Sequence, residues 1–349
     1  MTAAAMVAEF DAVAGWTADA VEQLGERHAI PAACRGSASP AALAWLAEAC
    51  ELAPGTRLLD VGAGAGGPAA WAAKRFGVRP ILLEPMPAAC RAASRMFGLP
   101  VILADGARIP LRDGTIDAAW CLGVLDTVRD KAALLREIHR VLAPGASLGL
   151  LVVVARDARV PAGPEGNLFP TQHDLVRLLA GTGFDLIEQI ERPGDVPLSW
   201  TRRAEQVAAV VAARHRADRA YALAAHQSES FTRLFGSGQI SMQLIHAVKR
   251  RGPARQASVP ALRGGTMSTF EFEFKAEIEV ELSLAEASRP EEVAGLPVAE
   301  WPFDPADAER EEIGLRNLMG AAEELGGHHP AGPATGPATG EATGEAERR

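Results

Sequence analysis

From residue 56 to residue 155, short apolar runs alternate with stretches in which apolar positions recur at helical spacing. The runs predict strands at Thr56–Val61, Pro80–Glu84, Val101–Ala104, Thr115–Leu122 and Ser147–Val154. The stretches between them predict helices at Pro68–Phe76, Met86–Phe97 and Lys131–Leu142. Pro68 suits a first helical turn, and Ala143-Pro144-Gly145 reads as a stop followed by a turn. This alternation is the βαβ pattern of a parallel sheet covered by helices on both faces. The longest apolar run, Leu148–Val154, fits a buried strand and is far shorter than a membrane span.

The flanks differ in pattern. Residues 1–55 are Ala-rich and predicted helical, with an irregular stretch at Ile30–Pro40. After residue 155 the chain loosens around Pro161–Gly166, then predicts a helix at Gln172–Leu179 and a strand at Phe184–Glu191. Residues 200–235 read as one long helical insert rich in Ala and Arg, and Ile240–Val248 as a last strand. Residues 251–266 read as a linker. Beyond it, Phe270, Phe272, Phe274, Ala276, Ile278, Val280, Leu282 and Leu284 alternate with mostly Glu, a period-two strand or hairpin. A helix is predicted at Asp304–Leu325, and the Pro/Ala/Thr/Gly repeat of 327–349 has too little to bury to be ordered. The expected division is therefore a helical cap (1–40), a main domain (41–250), the linker, a small acidic α+β extension (267–326) and a tail.

Charge follows the same division. The net charge of -9 is carried by the last hundred residues: residues 1–250 sum to about +1 and 251–349 to about -10. The main domain thus has no basic field for nucleic acid. Its N-terminus carries acids and does not read as a secretory leader. The four cysteines, Cys34, Cys50, Cys90 and Cys121, lack metal spacing and suit a reduced cytosol. They read as plain thiols, with Cys121 singled out because it adjoins the expected cleft. No metal site is expected; His328 and His329 adjoin the tail.

Candidate chemistry begins at Leu58–Gly67, LLDVGAGAGG: an apolar strand, an Asp, and a glycine turn into a helix. Gly62, Gly64 and Gly67 also satisfy the weak dinucleotide spacing. Three acids follow or end early strands: Asp60, Glu84 and Asp105. In an open parallel sheet the ligand lies at the C-terminal strand ends, so the three would line one cleft. A carboxylate after the second strand suits the two hydroxyls of a ribose. Asp105, followed by small Gly106 and Ala107, suits an exocyclic amine, and the bare turn leaves main-chain N–H groups for a polar tail. The ligand implied is a nucleoside with a charged arm. Against a nicotinamide dinucleotide, Asp60 stands two residues before the first glycine, where a dehydrogenase keeps an apolar residue.

Four segments in order, LLDVGAGAGG, ILLEP, ILADGARIPLRDGTIDAAWCLGVLD and LLREIHRVLAPGASLGLLV, resemble the class I S-adenosylmethionine-dependent methyltransferases of the small-molecule type 11 kind. The likeness is close over residues 41–155 and looser to about 250. It implies a Rossmann-like α/β fold: a seven-stranded sheet, parallel with one antiparallel strand, flanked by helices. Ile240–Val248 would be the antiparallel strand, between the fifth and sixth. It also implies S-adenosylmethionine as cofactor. Gly62, Ala63 and Gly64 would meet its methionine part, with Asp60 supporting the turn. Glu84 would bind the ribose, Pro85 and Met86 would border the adenine, and Asp105 with Gly106 and Ala107 would take the adenine amine. Leu122 and Gly123 would border the sulfonium and the substrate. Many relatives carry a His after the fourth strand; this chain reads Leu125-Asp126-Thr127, so no catalytic base carries over.

The implied reaction is in-line transfer of a methyl group to a small molecule in specialised metabolism, with the protein orienting, desolvating and excluding water. The alternative is a catalytically silent cofactor-binding subunit acting through its extension, as a homodimer or partner-docking module through 267–326. Elsewhere plainer roles are expected. Asp126 reads as a solvated acid at a helix start, with a cleft role as the alternative. His139 and His173 read as local structure, and so does His28, with a substrate contact as its alternative. Trp16, Trp45 and Trp71 read as core. The insert with Arg202, Arg203, Arg214, Arg216 and Arg219 is either a lid or an ordinary amphipathic helix.

Overall fold

The computed structural model describes residues 3–34, 39–157, 166–191 and 196–251. The linker, the acidic extension and the tail expected beyond residue 251 lie outside the described residues. Seven strands form one sheet: β1 (Arg57–Val61), β2 (Arg79–Glu84), β3 (Val101–Leu103), β4 (Ile116–Leu122), β5 (Leu142–Ala155), β6 (Phe184–Glu191) and β7 (Ile240–Lys249), in the order β3-β2-β1-β4-β5-β7-β6. Strands β1 to β5 pair in parallel, and β7 runs antiparallel to both β5 and β6. The strand order reverses beside β1, whose neighbours are β2 and β4. That reversal opens a crevice at the C-terminal strand ends.

The central strands β1, β2, β4 and β5 are buried on both faces, which is why they read as continuous apolar runs rather than alternating ones. On one face, Leu59, Val61, Leu150 and Val152 pack with residues of α6 (Lys131–Val141) and α7 (Gln172–Gly181). On the other, Leu58, Trp120 and Leu151 pack with α3 (Pro40–Ala49) and α4 (Gly67–Phe76). Trp120 pairs with Gly149 across β4 and β5. A Cβ at Gly149 would sit 2.8 Å from the Trp120 ring, so the glycine inside an apolar strand is there to admit the indole.

Three expectations are corrected. Ala143-Pro144-Gly145 does end the helix, yet the strand has already begun: Ile116 pairs with Leu142 while Ala118 pairs with Ser147, and the surplus residues form a bulge in β5 with Gly145 at φ 80°. The insert is two helices, α8 (Leu198–His215) and α9 (Arg219–Gly236). Asp218 is extended at the break and its carboxylate binds the His215 imidazole at 2.8 Å. Within the stretch expected to be irregular, Ala29–Ala33 forms a short helix, α2.

The N-terminal helix α1 (Ala3–Leu24) lies along α5 (Pro87–Phe97). The start of α5 has no side-chain cap of its own. Asp11 of α1 supplies one from outside, accepting the N–H groups of Ala88 (2.6 Å) and Ala89 (3.1 Å). Farther along, Arg95 of α5 donates to Asp19 and Glu22. Val207 and Val211 of α8 pack on Ala20, Val21 and Ala29, so cap and insert share a small core. Trp16 stacks on His215 at 4.1 Å. We expect Asp11→Ala to lower stability by about 0.5–2 kcal/mol, the range for a lost helix cap. The denaturation midpoint reads this directly, and an unchanged midpoint would show that the bond does not hold α1 down.

Candidate active site

The glycine turn follows β1 directly. Gly62, Gly64 and Gly66 all have positive φ (72°, 53° and 85°), the left-handed region that disfavours side chains. At Gly62 a Cβ would meet a Val124 methyl at 2.4 Å, so the turn rests against the segment after β4. At Gly64 nothing lies within 4 Å of an added Cβ, so the turn opens onto free space there. The main-chain N–H groups are not bare, however. Those of Gly62 and Ala63 donate to the Leu83 carbonyl (2.7 and 3.2 Å), and that of Gly64 donates to a Glu84 carboxylate oxygen at 2.7 Å.

Glu84, at the end of β2, is almost wholly buried. One oxygen accepts from Gly64 and the other from Met86 N–H at 3.0 Å, which braces two turns with one side chain. Each oxygen keeps a second acceptor position, enough for a vicinal diol. Burial pushes the Glu84 carboxyl up, the two N–H bonds pull it back, and nearby Asp11 pushes it up again. Asp60 is 2% exposed, and its Oδ2 has no hydrogen-bond partner among the described residues. Burial, and then the charge of Glu84, push its carboxyl up to about 7. Pro85 is exposed and Met86 half-buried beside them.

This end of the sheet therefore carries buried negative charge and spends the N–H groups of Gly62, Ala63 and Gly64 internally. A pyrophosphate needs the opposite, free N–H donors and positive potential. A ligand with an ammonium and a sulfonium fits: the cations offset the buried carboxylates, and the orphaned Asp60 oxygen offers an acceptor.

Asp105 follows β3, is exposed, and accepts Ala107 N–H at 2.9 Å, which shapes the Asp105-Gly106-Ala107 turn. A Cβ at Gly106 would meet Leu134 at 2.5 Å, so α6 packs directly on this turn. The loop onward to β4 is gripped by α6. Arg140 donates to the carbonyls of Ile109 and Leu111 and to Asp113, and Glu137 accepts Ile109 N–H. Asp117 of β4 accepts the main-chain N–H and the guanidinium of Arg57, tying the start of β1 to β4. Arg57 beside it holds the Asp117 carboxyl below its ordinary range. Asp113 and Asp117 are thus framework partners of Arg140 and Arg57, whereas Asp105 is exposed and bonds within its own turn.

Leu122 ends β4 and Gly123 follows, both half-buried. Asp126, expected to be solvated, is instead 3% exposed and starts no helix; its Oδ1 has no hydrogen-bond partner among the described residues. Burial pushes its carboxyl up to about 6, against the main-chain N–H groups of Asp126 and Val153 and the charge of Lys131. The sequence favours a solvated acid here, with a cleft role as the alternative, because a lone acid after a strand resembles a surface turn. The signal was its place, directly after buried Leu125 and close behind the end of β4.

The remaining candidates stand apart from the crevice chemistry. His28 is buried, with its ring nitrogens on the Gly25 carbonyl (3.1 Å) and the Gln206 side chain (2.8 Å), so it joins cap to insert. His139 packs edge-on against Phe184 at 5.3 Å. Cys121 is fully buried, and burial with Asp60 and Asp126 nearby pushes its thiol well above the ordinary range, which leaves it protonated and inert. Among the described residues no cluster of ligating side chains suits a metal, and no helix is long and apolar enough to cross a membrane.

We expect Glu84→Ala to weaken S-adenosylhomocysteine binding by about 1.5–3 kcal/mol, the scale for hydrogen bonds to a charged group. It should also lower the melting temperature, because Gly64 and Met86 N–H lose their partner. Calorimetry and a thermal melt read the two effects separately; unchanged binding would contradict the ribose assignment.

Residues 59–150 match the family described as "Methyltransferase domain". Methyltransferase GfsG of Streptomyces halstedii is 31% identical over 118 residues, which are 32% of this chain and 42% of that protein. Norajmaline N-methyltransferase of Rauvolfia serpentina is 32% identical over 107 residues, 29% of this chain and 37% of that protein. Among solved structures, the cyclase SpnF is 28% identical with a TM-score of 0.49, covering 60% of this chain and 80% of its own. The chain spans 37% to 42% of the length of those two curated relatives. The matched segment runs from within β1 to within β5 and takes in the glycine turn, Glu84 and Asp105, so this part of the chain is similar to the methyltransferase domain family.

Proposed function

We propose that this protein transfers a methyl group from S-adenosylmethionine to a nucleophilic atom of a small molecule, in specialised metabolism. The observation that carries the reading is the pair of buried acids at the glycine turn, Glu84 bonded to Gly64 N–H and Asp60 with an unpartnered oxygen. The substrate class is supported by the curated relatives, which are methyltransferases named for a small molecule in one case, and by the lack of any basic excess in residues 1–250.

The bound cofactor supplies a methyl group already activated by the positive sulfur. The protein's part is placement. Glu84 holds the ribose hydroxyls while its bond to Gly64 keeps the turn in the left-handed conformation that opens space beside it. Gly62 and Ala63 continue that surface, and Asp60 receives the ammonium of the methionine part. Pro85 and Met86 border the adenine, and Asp105 accepts its amine, with Gly106 and Ala107 admitting the ring edge. Leu122 and Gly123 border the reacting centre and, with Val124, keep water from it. Alignment of the acceptor atom with the methyl lowers the barrier by orientation rather than by covalent chemistry.

The test is transfer of label from methyl-labelled S-adenosylmethionine to a metabolite extract by the full chain. Labelled small-molecule product supports the reading. Cofactor binding without any transfer would reduce the protein to a silent binding subunit.

A further inference from the structure

The end of β4 leads into a second, mostly apolar surface. Leu168 N–H donates to the Asp126 carbonyl at 2.6 Å, and Ala155 N–H donates to the Pro170 carbonyl at 2.9 Å. The segment 168–170 is thereby laid along the C-terminal end of β5. It carries Phe169, whose ring meets Phe231 of α9 edge-on at 5.8 Å, and Phe231 in turn stacks with Phe235 at 6.2 Å. The three rings are half-buried and pack on Val153, Leu234 and Ile240, where the end of β5 pairs with the start of β7. Asp126, whose main-chain carbonyl takes the Leu168 N–H, has a buried carboxylate oxygen that nothing among the described residues satisfies.

A buried acceptor without a donor is costly, and it is a vacancy for a group that brings a proton. A half-buried aromatic wall asks for flat apolar surface. Taken together, and resting on the methyl-transfer reading above, we infer that the acceptor is an apolar ring compound bearing a phenol or enol hydroxyl, that Phe169, Phe231 and Phe235 hold its ring, and that Asp126 is the base that takes its proton. In the step, the acceptor oxygen bonds to the sulfonium methyl as the methyl–sulfur bond breaks. The bonding pair stays on sulfur, which leaves the neutral thioether. The hydroxyl proton passes to Asp126, which later gives it to water.

The groups around Asp126 suit this use. Lys131 is the cation facing it from the start of α6, held by the Val128 carbonyl at 2.7 Å. Cys121 faces it from β4 as a protonated thiol, and β5 presents only the main-chain N–H of Val153. Asp126 therefore ionises close enough to neutrality to act as a base. Asparagine at this position keeps an acceptor for Val153 N–H and so preserves the local fold.

The experiment uses the full chain saturated with S-adenosylhomocysteine. That binding is measured first, and its absence would remove the methyl-transfer reading together with this one. Two probes, 2-naphthol and its methyl ether, are then titrated from about pH 5 to about pH 8 into wild type, Asp126→Asn and Phe231→Ala, with Asp126 expected to ionise at about 6. In wild type the naphthol should bind about tenfold tighter than the ether at the upper pH, the scale of a hydrogen bond to a charged group, and the preference should vanish at the lower pH. In Asp126→Asn the preference should be small and independent of pH. Phe231→Ala should weaken both probes alike, by about fivefold or more. An ether bound as tightly as the naphthol in wild type, a pH-dependent preference that survives Asp126→Asn, or no binding of either probe would overturn the inference.

Discussion

Replacing Gly64 with valine should lower affinity for S-adenosylmethionine by about 100-fold or more, roughly 3 kcal/mol, while the fold survives. Two effects add. Gly64 sits at φ 53°, where a β-branched residue is strained by about 1–2 kcal/mol. Its missing side chain faces open space, with no protein atom within 4 Å to clash. The protein therefore tolerates the bulk in a way the ligand does not, because the valine methyls occupy the volume proposed for the methionine part. The contrast with Gly62 sharpens the argument: a Cβ there meets Val124 at 2.4 Å, and substitution would disturb the protein itself. Calorimetry against S-adenosylmethionine and near-ultraviolet circular dichroism separate the outcomes. A Gly64→Val protein that binds normally places the cofactor elsewhere.

Affinity for S-adenosylmethionine should also fall with acid, and Asp60 is the reason. Its carboxyl is pushed up to about 7 by burial and by the charge of Glu84. Below that pH it is protonated and no longer offsets the ligand's ammonium. If only the ionised form binds, affinity falls by up to about tenfold per pH unit below about 7. Stability of the unliganded protein moves the opposite way. An unfolded Asp ionises near 4, so between about 4 and 7 the folded state binds the extra proton, and the contribution of Asp60 to stability declines as pH rises. In Asp60→Asn both slopes should flatten, with weak binding at pH 8 and little further loss at pH 6. A wild-type binding curve flat from about pH 6 to about pH 8 would show that the buried carboxyl does not face the ligand.

Much of this arrangement was legible in the sequence because the central strands of the sheet are buried on both faces. Leu58, Leu59, Leu82, Leu83 and Leu148–Val154 show as unbroken apolar runs, and their spacing fixes the order of strands and helices. The antiparallel place of β7 came from family resemblance and holds in the pairing of β5 with β7. What escaped detection depended on contacts distant in sequence. The break between α8 and α9 has no proline or glycine to announce it; Asp218 makes it through His215. The bulge in β5 is visible only against the register of β4. The acids after the strands were legible as acids, but not their partners. That Glu84 braces the glycine turn and that the N–H groups of Gly62 and Ala63 are spent on Leu83 follow from how β1 and β2 meet. Asp126 was misjudged for the same reason: burial belongs to the fold, since segment 167–170 and β5 close around a residue that on its own looks like a surface turn.

The central claim is that an adenosyl sulfonium lies along the C-terminal ends of β1, β2 and β4. A crystal structure of the full chain grown with S-adenosylhomocysteine tests it most directly. Ligand density should lie against Gly64, with the ribose hydroxyls within hydrogen-bond distance of Glu84 and the sulfur beside Leu122 and Gly123. Density at any other place, or a nicotinamide dinucleotide displacing the ligand from this crevice, would contradict it.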